Sequence, residues 1–184
     1  MSALIPSGNA TGTGTMTLLA PPTNGTQTVT IPDSSGTMMV SGNMPAFSAY
    51  STSSQSVTSN TATKITFNVE EWDTNNNFAS STFTPTVAGY YQINAMVRPT
   101  ASGVMTNAWL ALYKNGSVYK RASELGNGNV MTNAQLVLSE MVYCNGSTDY
   151  VELYGLIAGT GPNFDNSNGQ PYDARMAGFL ARTA

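Results

Sequence analysis

The sequence predicts an all-β protein whose main part is a jelly-roll β-sandwich. Thr, Val, Tyr and Phe, which favour pleated and half-buried surfaces, recur along the chain, and Gly and Asn interrupt it at short intervals. Apolar and polar residues alternate over short runs, and no segment has the period of a convincing amphipathic helix. Many short strands separated by turns are typical of a sandwich or a barrel.

Composition limits the partners of the chain. Its 184 residues suit one domain of ordinary size with some chain left over. The charged fraction is 9% and the net charge is −3, without a large basic block. Because phosphate neutralisation requires clustered Lys and Arg, we expect no nucleic-acid partner. No apolar run has the length of a transmembrane helix, and Met1 to Ser7 lack the basic start of a secretory signal, so we expect no membrane partner.

The absence of histidine limits the chemistry. It excludes Ser-His and Cys-His nucleophile pairs and every His-ligated metal site. The lone Cys144 cannot form an intrachain disulfide, and we expect it to be a small buried hydrophobe. This pattern fits a protein made in a reducing cytoplasm. We expect no enzymatic activity, no cofactor and no metal.

Residues 1–43 differ in texture from the rest and predict an extended arm followed by short strands. Strands are expected at Thr15–Leu19, Thr26–Ile31 and Thr37–Val40, separated by Pro- and Gly-containing turns. Strands this short cannot bury a core alone, so we expect them to pair with another chain or a surface. The side chains expected at that attachment are Met16, Leu18, Leu19, Val29, Ile31, Met38 and Val40.

Residues 44–184 form the predicted head. Its expected strands are Pro45–Tyr50, Ala62–Val69, Ser81–Phe83, Tyr90–Val97, Asn107–Lys114, Ser117–Arg121, Val130–Tyr143, Asp149–Ile157 and Ala174–Ala181. Hairpins are predicted at Asn115-Gly116 and Asn145-Gly146, because type I′ turns require positive φ at both central residues.

The run from Tyr90 to Val97 predicts two different faces. Alternation places Tyr91, Ile93, Ala95 and Val97 on one face, which suits the core. The opposite face carries Tyr90, Gln92, Asn94 and Met96. A face of Tyr, Met and amide groups suits a subunit interface, where aromatic residues and Met are enriched. The alternative is that Tyr90 merely covers a loop.

Five blocks of the head, in order over residues 45–181, carry a family resemblance. They are Pro45–Ala49, Phe83–Ile93 with its Gly89-Tyr90-Tyr91 turn, Leu112–Gly116, Asp149–Leu153 and Ala177–Leu180. Together they resemble the jelly roll of the complement globular head and tumour necrosis factor superfamily. The resemblance implies a jelly-roll fold and a homotrimer. The disulfides and collagen stalks of animal members are missing, so it does not imply their immune functions.

The N-terminal segment has its own resemblance. Gly14–Pro21 and Thr28–Thr37 are similar to a recurrent segment of phage fibre and virion-attached proteins, where it precedes a variable head. This implies a bacteriophage particle as the setting, a capsid or tail component as the partner, and the virion surface as the location.

Other polar residues allow weaker hypotheses. Glu71 and Asp73, near Glu70, could form a carboxylate pair for glycan hydrolysis, or Asp73 and nearby Asn side chains could bind calcium. A solvated strand end explains them better. Likewise Lys114, Lys120, Arg121 and Glu124 could contact an acidic glycan or capsid surface, but a solvated hairpin edge is the simpler interpretation.

The stretch from Asn163 to Tyr172 predicts a long exposed loop, and such loops often carry binding sites. Phe164, Asp165 and Tyr172 are its candidate ligand residues, because aromatic side chains could stack on sugars. The same aromatics could instead pin the loop to the head.

Two functions compete at this point. In the first, the protein is a trimeric capsid decoration, a cement or head-fibre protein held by its arm. In the second, it is a short tail fibre or receptor-binding tip that recognises a host surface glycan. Residues 1–43 are too few for a long shaft, which favours decoration.

Overall fold

The computed structural model describes residues 44–126, 134–166 and 173–184, together with residues 13, 17, 40 and 42. Within these ranges the chain forms thirteen β-strands and no α-helix, so the all-β prediction is confirmed. The same ranges contain no helix that could cross a bilayer. The chain divides into two compact units, Met1–Gly36 and Thr37–Ala184, and every described strand belongs to the second unit.

The strands are short in the first half of the head and long in the second. In chain order they are β1 (Ala46–Tyr50), β2 (Gln55–Ser56), β3 (Thr63–Lys64), β4 (Val69–Asp73), β5 (Phe78–Ala79), β6 (Thr82–Phe83), β7 (Gly89–Thr100), β8 (Met105–Lys114), β9 (Ser117–Gly126), β10 (Leu136–Cys144), β11 (Val151–Gly159), β12 (Asn163–Asp165) and β13 (Ala174–Thr183).

The strands form two antiparallel sheets, which we call sheet I and sheet II. Sheet I has the order β4-β1-β13-β7-β10, and β12 and β2 continue it beside the far end of β7. Sheet II has the order β5-β6-β11-β8-β9, with β3 also paired to β11. Two antiparallel sheets with strands that alternate between them form the predicted jelly-roll sandwich.

The core lies between the sheets and contains a ring cluster near its β5–β6 side. Phe47 of sheet I stacks on Phe78 and Phe83 of sheet II, with ring centroids 4.6 and 4.5 Å apart. Tyr91 meets Phe83 edge-on at 5.3 Å, and its hydroxyl donates to the Val87 carbonyl at 2.7 Å. Aromatic contacts of this kind add to area burial and join the two sheets.

The predicted strand Ala62–Val69 is wrong, because the chain changes sheet within it. Thr63–Lys64 pairs with β11 in sheet II, whereas Val69 begins β4 in sheet I. Between them the chain stays extended without a strand ladder. The Phe67 amide donates to the Ser81 hydroxyl at 2.8 Å, so a side chain replaces the missing strand partner. Alternation of buried residues therefore continues where strand pairing does not.

The two Asn-Gly pairs have different outcomes. Asn115 and Gly116 have φ of 53° and 75°, and Lys114 pairs with Ser117, so the first hairpin is confirmed. The second prediction is wrong, because β10 pairs with β7 in sheet I and β11 pairs with β8 in sheet II. The connection after Cys144 crosses between the sheets instead of turning back on itself.

Side chains stabilise this crossing connection. The Asn145 side-chain oxygen accepts hydrogen bonds from the amides of Ser147, Thr148 and Asp149, and Asp149 accepts from the Asn145 amide. Gly146 has φ of 73°, and a Cβ there would lie 2.4 Å from the Ala88 amide nitrogen. Asn-Gly is thus required here by a close approach to the connection before β7.

The remaining predicted strands lie where expected, with different ends. The run predicted as Tyr90–Val97 extends over Gly89–Thr100, and the one predicted to begin at Val130 begins at Leu136. The predicted strands Thr15–Leu19, Thr26–Ile31 and Thr37–Val40 lie outside the described residues, apart from Thr17 and Val40. The boundary between arm and head near residue 43 stays a prediction.

The registers also fix which connections share an end of the sandwich. The chain enters β1 at the end where β13 finishes, and the turns 74–77, 84–88, 115–116 and 145–150 lie at this entry end. The connections 51–62, 101–104 and 160–162 lie at the opposite, distal end, where β9 also ends. The longest described connection, 51–62, which contains the two-residue strand β2, therefore lies away from the chain entry.

Candidate functional site

The outward face of sheet I is the surface that the sequence singled out on β7. Burial alternates along this strand as predicted, with Tyr91, Ile93, Ala95 and Val97 buried in the core. Tyr90 and Asn94 are exposed on the outward side, and Gln92 and Met96 are half-buried there. The division into two faces is confirmed, whereas the assignment of the outward one to a subunit interface stays a prediction.

Strand pairing extends this face on both sides of β7. On β10 the residues paired with Tyr90, Gln92, Asn94 and Met96 are Tyr143, Met141, Ser139 and Val137. On β13 the residues paired with Gln92, Asn94 and Met96 are Phe179, Ala177 and Arg175. β1 and β4 add Ser48 and Trp72, which pair with each other. We call this surface the sheet I outer face.

Large apolar side chains are exposed across the sheet I outer face. They are Trp72, Tyr90, Val137, Met141, Tyr143 and Phe179, with exposed fractions between 39% and 56%. Tyr90 and Tyr143 contact each other at a centroid distance of 5.4 Å. This many exposed aromatic residues and Met on one face of a sheet are uncommon on a solitary soluble protein and mark an interaction site.

Polar side chains at the centre of the face satisfy one another. The Gln92 amide donates to the Ser139 hydroxyl at 3.0 Å and to the Asn94 side-chain oxygen at 3.3 Å. Ser139 in turn donates to Asn94 at 3.0 Å. Because these groups already have partners, covering them with another surface costs less than burying them unpaired.

A shallow open depression of about 270 Å³ lies beside this cluster. Its lining includes Ser48, Asn94, Met96, Val137, Arg175 and Ala177. Its volume lies just below the ~300 Å³ at which small-molecule sites begin, so it suits a protein side chain better than a ligand.

The outward face of sheet II is built differently. Arg121 lies over the Trp109 ring, 4.5 Å from its centroid, and also pairs with Glu124 at 3.5 Å. Tyr113 and Tyr154 stack at 3.9 Å. Burial raises the pKa of the Tyr154 hydroxyl, and the charge of nearby Glu152 adds to the shift.

A small ion-pair network completes this second face. Lys64 donates to Glu152 at 2.7 Å and to the Thr82 hydroxyl at 2.6 Å, and Thr82 donates to Glu152 at 3.1 Å. The network joins β3, β6 and β11 side by side. The charged side chains of this network therefore stabilise the fold of the head.

The predicted hairpin cations and Glu124 are engaged within the head. Lys114 pairs with Asp149 at 2.9 Å, and Lys120 with Glu140 at 2.8 Å. The Lys120 contact connects β9 to β10 across the gap between the sheets, and Ser123 does the same through the Val137 carbonyl at 2.6 Å. These charges support the edge of the sandwich, as the simpler interpretation expected.

The acidic cluster around Trp72 lies on β4, which the sequence did not predict as a strand. Asp73 accepts hydrogen bonds from the amides of Asn75 and Phe78 and so caps the turn after β4. Glu71 accepts from the Ser48 hydroxyl at 2.6 Å, and Trp72 is exposed beside it. The described residues contain no group of three or more potential metal ligands. Asp73 therefore has a structural role in the turn after β4.

The predicted ligand loop is wrong for residues 163–165. Asn163–Asp165 is strand β12, and Phe164 is only 1% exposed, so its ring cannot stack on a sugar. It fills the space above Gly155, where a Cβ would lie 2.4 Å from the ring. Asp165 pairs with Arg98, which also contacts Asp173 at 3.3 Å. Tyr172 lies outside the described residues.

The buried thiol has the predicted environment. Cys144 is fully buried at the end of β10, and its burial raises the pKa of the thiol to about 11. Among the predicted attachment residues, Val40 is 53% exposed, whereas Met16, Leu18, Leu19, Val29, Ile31 and Met38 lie outside the described residues.

Comparison with solved structures identifies the fold. Crystal structures of murine APRIL at pH 8.5 and pH 8.0 each superpose with a TM-score of 0.53 at 8% identity, over 74% of this chain and 98% of that one. The Eiger TNF structure from S. frugiperda gives a TM-score of 0.49 at 10% identity, over 77% of this chain and 93% of that one. No family model and no curated protein sequence matches. The head is therefore a tumour necrosis factor-like jelly roll.

Proposed function

We propose that this protein is a non-enzymatic structural component of a bacteriophage particle. Its heads assemble in threes through the sheet I outer face and stand on the capsid as a decoration. The observation that carries the proposal is the set of exposed large apolar side chains on that face. Its exposed residues are mainly aromatic residues and Met, the types enriched at subunit interfaces.

The positions of the entry end and the distal end suit a protein that displays its head on the particle surface. The chain reaches β1 at the entry end, so a head anchored through residues 1–43 would turn its distal end away from the anchor. The phage setting itself rests on the resemblance of Gly14–Pro21 and Thr28–Thr37 to virion-attached proteins. With few charges in that segment, apolar contact and strand addition to a capsid protein would provide the attachment.

Recognition of a host surface glycan by a tail tip is a second candidate function. The observation in its favour is the long connection 51–62 at the distal end, because binding residues often lie on loops held by a rigid scaffold. This connection is rich in Ser, Thr and Asn. Hydroxyl and amide groups of this kind can hydrogen-bond sugars.

Locating the protein on the particle tests the proposal. Gold-labelled antibody against this protein, imaged on intact particles, should mark the capsid at many positions. A few trimers at the tail, together with blocked adsorption by purified protein, would overturn decoration and support the glycan-binding alternative. Label on neither structure would exclude both candidates.

A further inference from the structure

The charges of the head divide into those with a partner in the chain and those without one. Five of the seven cations contact a carboxylate: Lys64, Arg98, Lys114, Lys120 and Arg121. Within the described part of the chain the other two, Arg175 and Arg182, have no such contact. Both lie on β13, and Arg175 is exposed on the sheet I outer face.

Two carboxylates on β4 also lack a cation. Glu70 and Glu71 are exposed, and the contact that Glu71 makes is with the neutral Ser48 hydroxyl. Strand β1 separates β4 from β13, so the two strands are about 10 Å apart. None of the ion pairs within the described residues joins Arg175 to Glu70 or Glu71.

The shape of the sheet I outer face also differs between the region of Glu70 and Glu71 and the region of Arg175. Trp72, next to these carboxylates, is 49% exposed on the β4 side of the face. The depression of about 270 Å³ extends from Ser48 on β1 across β13 and β7 to Val137 on β10, and Arg175 is part of its lining. The β4 edge of the face therefore offers a large apolar side chain with Glu71 beside it. The centre of the face offers a side-chain-sized hollow beside a cation.

We propose that Trp72 of one head inserts into the depression of a second copy and that Glu70 or Glu71 then pairs with Arg175 of that copy. This inference rests on the self-assembly proposed above and specifies how the copies meet. The β4 edge of one face contacts the centre of the next. Such a contact joins two different patches, so it is heterologous and closes into a ring when the rotation allows.

The chemistry favours this occupant over others. Trp and Arg are the side chains most enriched among residues that dominate binding energy, and they do so in water-excluding pockets. The mutual hydrogen bonds of Gln92, Asn94 and Ser139 leave the border of the depression satisfied when it is covered. Opposite charges on the two patches also disfavour a contact in which each patch meets the same patch of the other copy, because like charges would then face each other.

Charge exchange in the full-length chain tests the pairing. Arg175→Glu, or Glu70→Arg with Glu71→Arg, should raise the dissociation constant of the assembly at least about tenfold. The triple variant that carries all three changes should return to within about threefold of the unmodified chain. Thr84→Glu, at an exposed position of the turn before β7, is the control that changes charge without touching the face. Sedimentation velocity over a dilution series measures each constant.

Trp72 supplies an independent readout. Its emission should shift to the blue as the chain assembles, and Trp72→Phe should remove that shift while the buried Trp109 signal remains. If the charge variants and Trp72→Ala assemble like the unmodified chain, the pairing is wrong although self-assembly stands. If the unmodified chain is monomeric at all concentrations, the self-assembly itself is wrong. If a charge variant lacks the far-ultraviolet circular dichroism spectrum of the folded chain, Arg175→Gln replaces it. The same rise in the dissociation constant of the assembly is expected for Arg175→Gln.

Discussion

The two tryptophans of the chain lie on opposite outward faces of the sandwich, and their surroundings differ. Trp109 on sheet II is 6% exposed, and Arg121 covers its ring. Trp72 on sheet I is 49% exposed, with two unpaired carboxylates beside it. The tyrosine pairs differ in the same way, since Tyr113 and Tyr154 stack closely whereas Tyr90 and Tyr143 are both exposed.

This difference distinguishes a face that the chain completes by itself from one that it leaves open. On sheet II Arg121 covers the Trp109 ring, and Lys64 and Arg121 are paired with carboxylates of the chain. Its exposed Val118 and Tyr119 lie on the edge strand β9. On sheet I large apolar groups and charges of both signs remain without such partners in the described residues. Residues on sheet II should therefore affect the stability of a head, and those on sheet I the contact between heads.

The largest expected effect is on assembly. Tyr90→Asp places a charge beside Tyr143 at the entry end of the sheet I outer face, where burial against another copy would be costly. We expect a folded head that no longer assembles, measured by light scattering together with far-ultraviolet circular dichroism. Val118→Asp makes the same kind of change at a 54% exposed position on β9 and should assemble normally. An intact trimer of the Tyr90 variant would show that the interface is misplaced.

Truncation of the tryptophans should separate the faces. Trp109→Ala removes a buried ring and should lower the free energy of unfolding by about 3–5 kcal/mol. Trp72→Ala should change it by less than about 1 kcal/mol when the two are compared as monomers. Urea denaturation at a concentration below that of assembly measures both. Equal losses from the two variants would contradict the comparison.

The carboxylates provide a similar contrast with a smaller effect. Glu152→Ala leaves Lys64 and Thr82 without their partner and should cost about 2–3 kcal/mol, because the site is partly exposed. Glu152→Gln keeps an acceptor and should cost about half as much. Glu70→Gln should change the stability of the monomer by less than about 0.5 kcal/mol. Thermal unfolding scans rank the three, and an unstable Glu70 variant would argue against an open face.

The smallest effect concerns alkaline pH. The pKa of Tyr154 is raised in the fold, so the folded head holds this proton more tightly than the unfolded chain does. The contribution of Tyr154 to stability should therefore be constant below pH ~10, the pKa of an unperturbed tyrosine, and fall above it. Absorbance titration should show a late phase from Tyr154 and from Tyr91, whose pKa burial also raises. Tyr154→Phe should lower the amplitude of that phase, and an unchanged amplitude would contradict the prediction.

The sequence predicted the sandwich because the signals for it are local. Alternation from Tyr90 to Val97 is enough to divide core from surface, and Asn115-Gly116 is enough to predict a hairpin. Asn145-Gly146 gives the same local signal with a different result. Its role depends on a backbone approach to Ala88, far away in the chain, which no local pattern contains.

The open face could be predicted only in part for the same reason. Tyr90, Gln92, Asn94 and Met96 lie on one strand, so alternation groups them. Trp72, Met141 and Phe179 join them only through strand register across sheet I. Phe164 shows the converse error, because polar neighbours in sequence suggested exposure although pairing with β7 buries the ring.

The mass of the full-length chain in solution tests the central claim most directly. Light scattering at micromolar concentration should give about three times the 19.4 kDa of one chain. The mass should not rise further with concentration, because a closed ring leaves no sheet I outer face uncovered. A mass of 19.4 kDa throughout the concentration range would contradict the claim that the sheet I outer face joins copies of this protein.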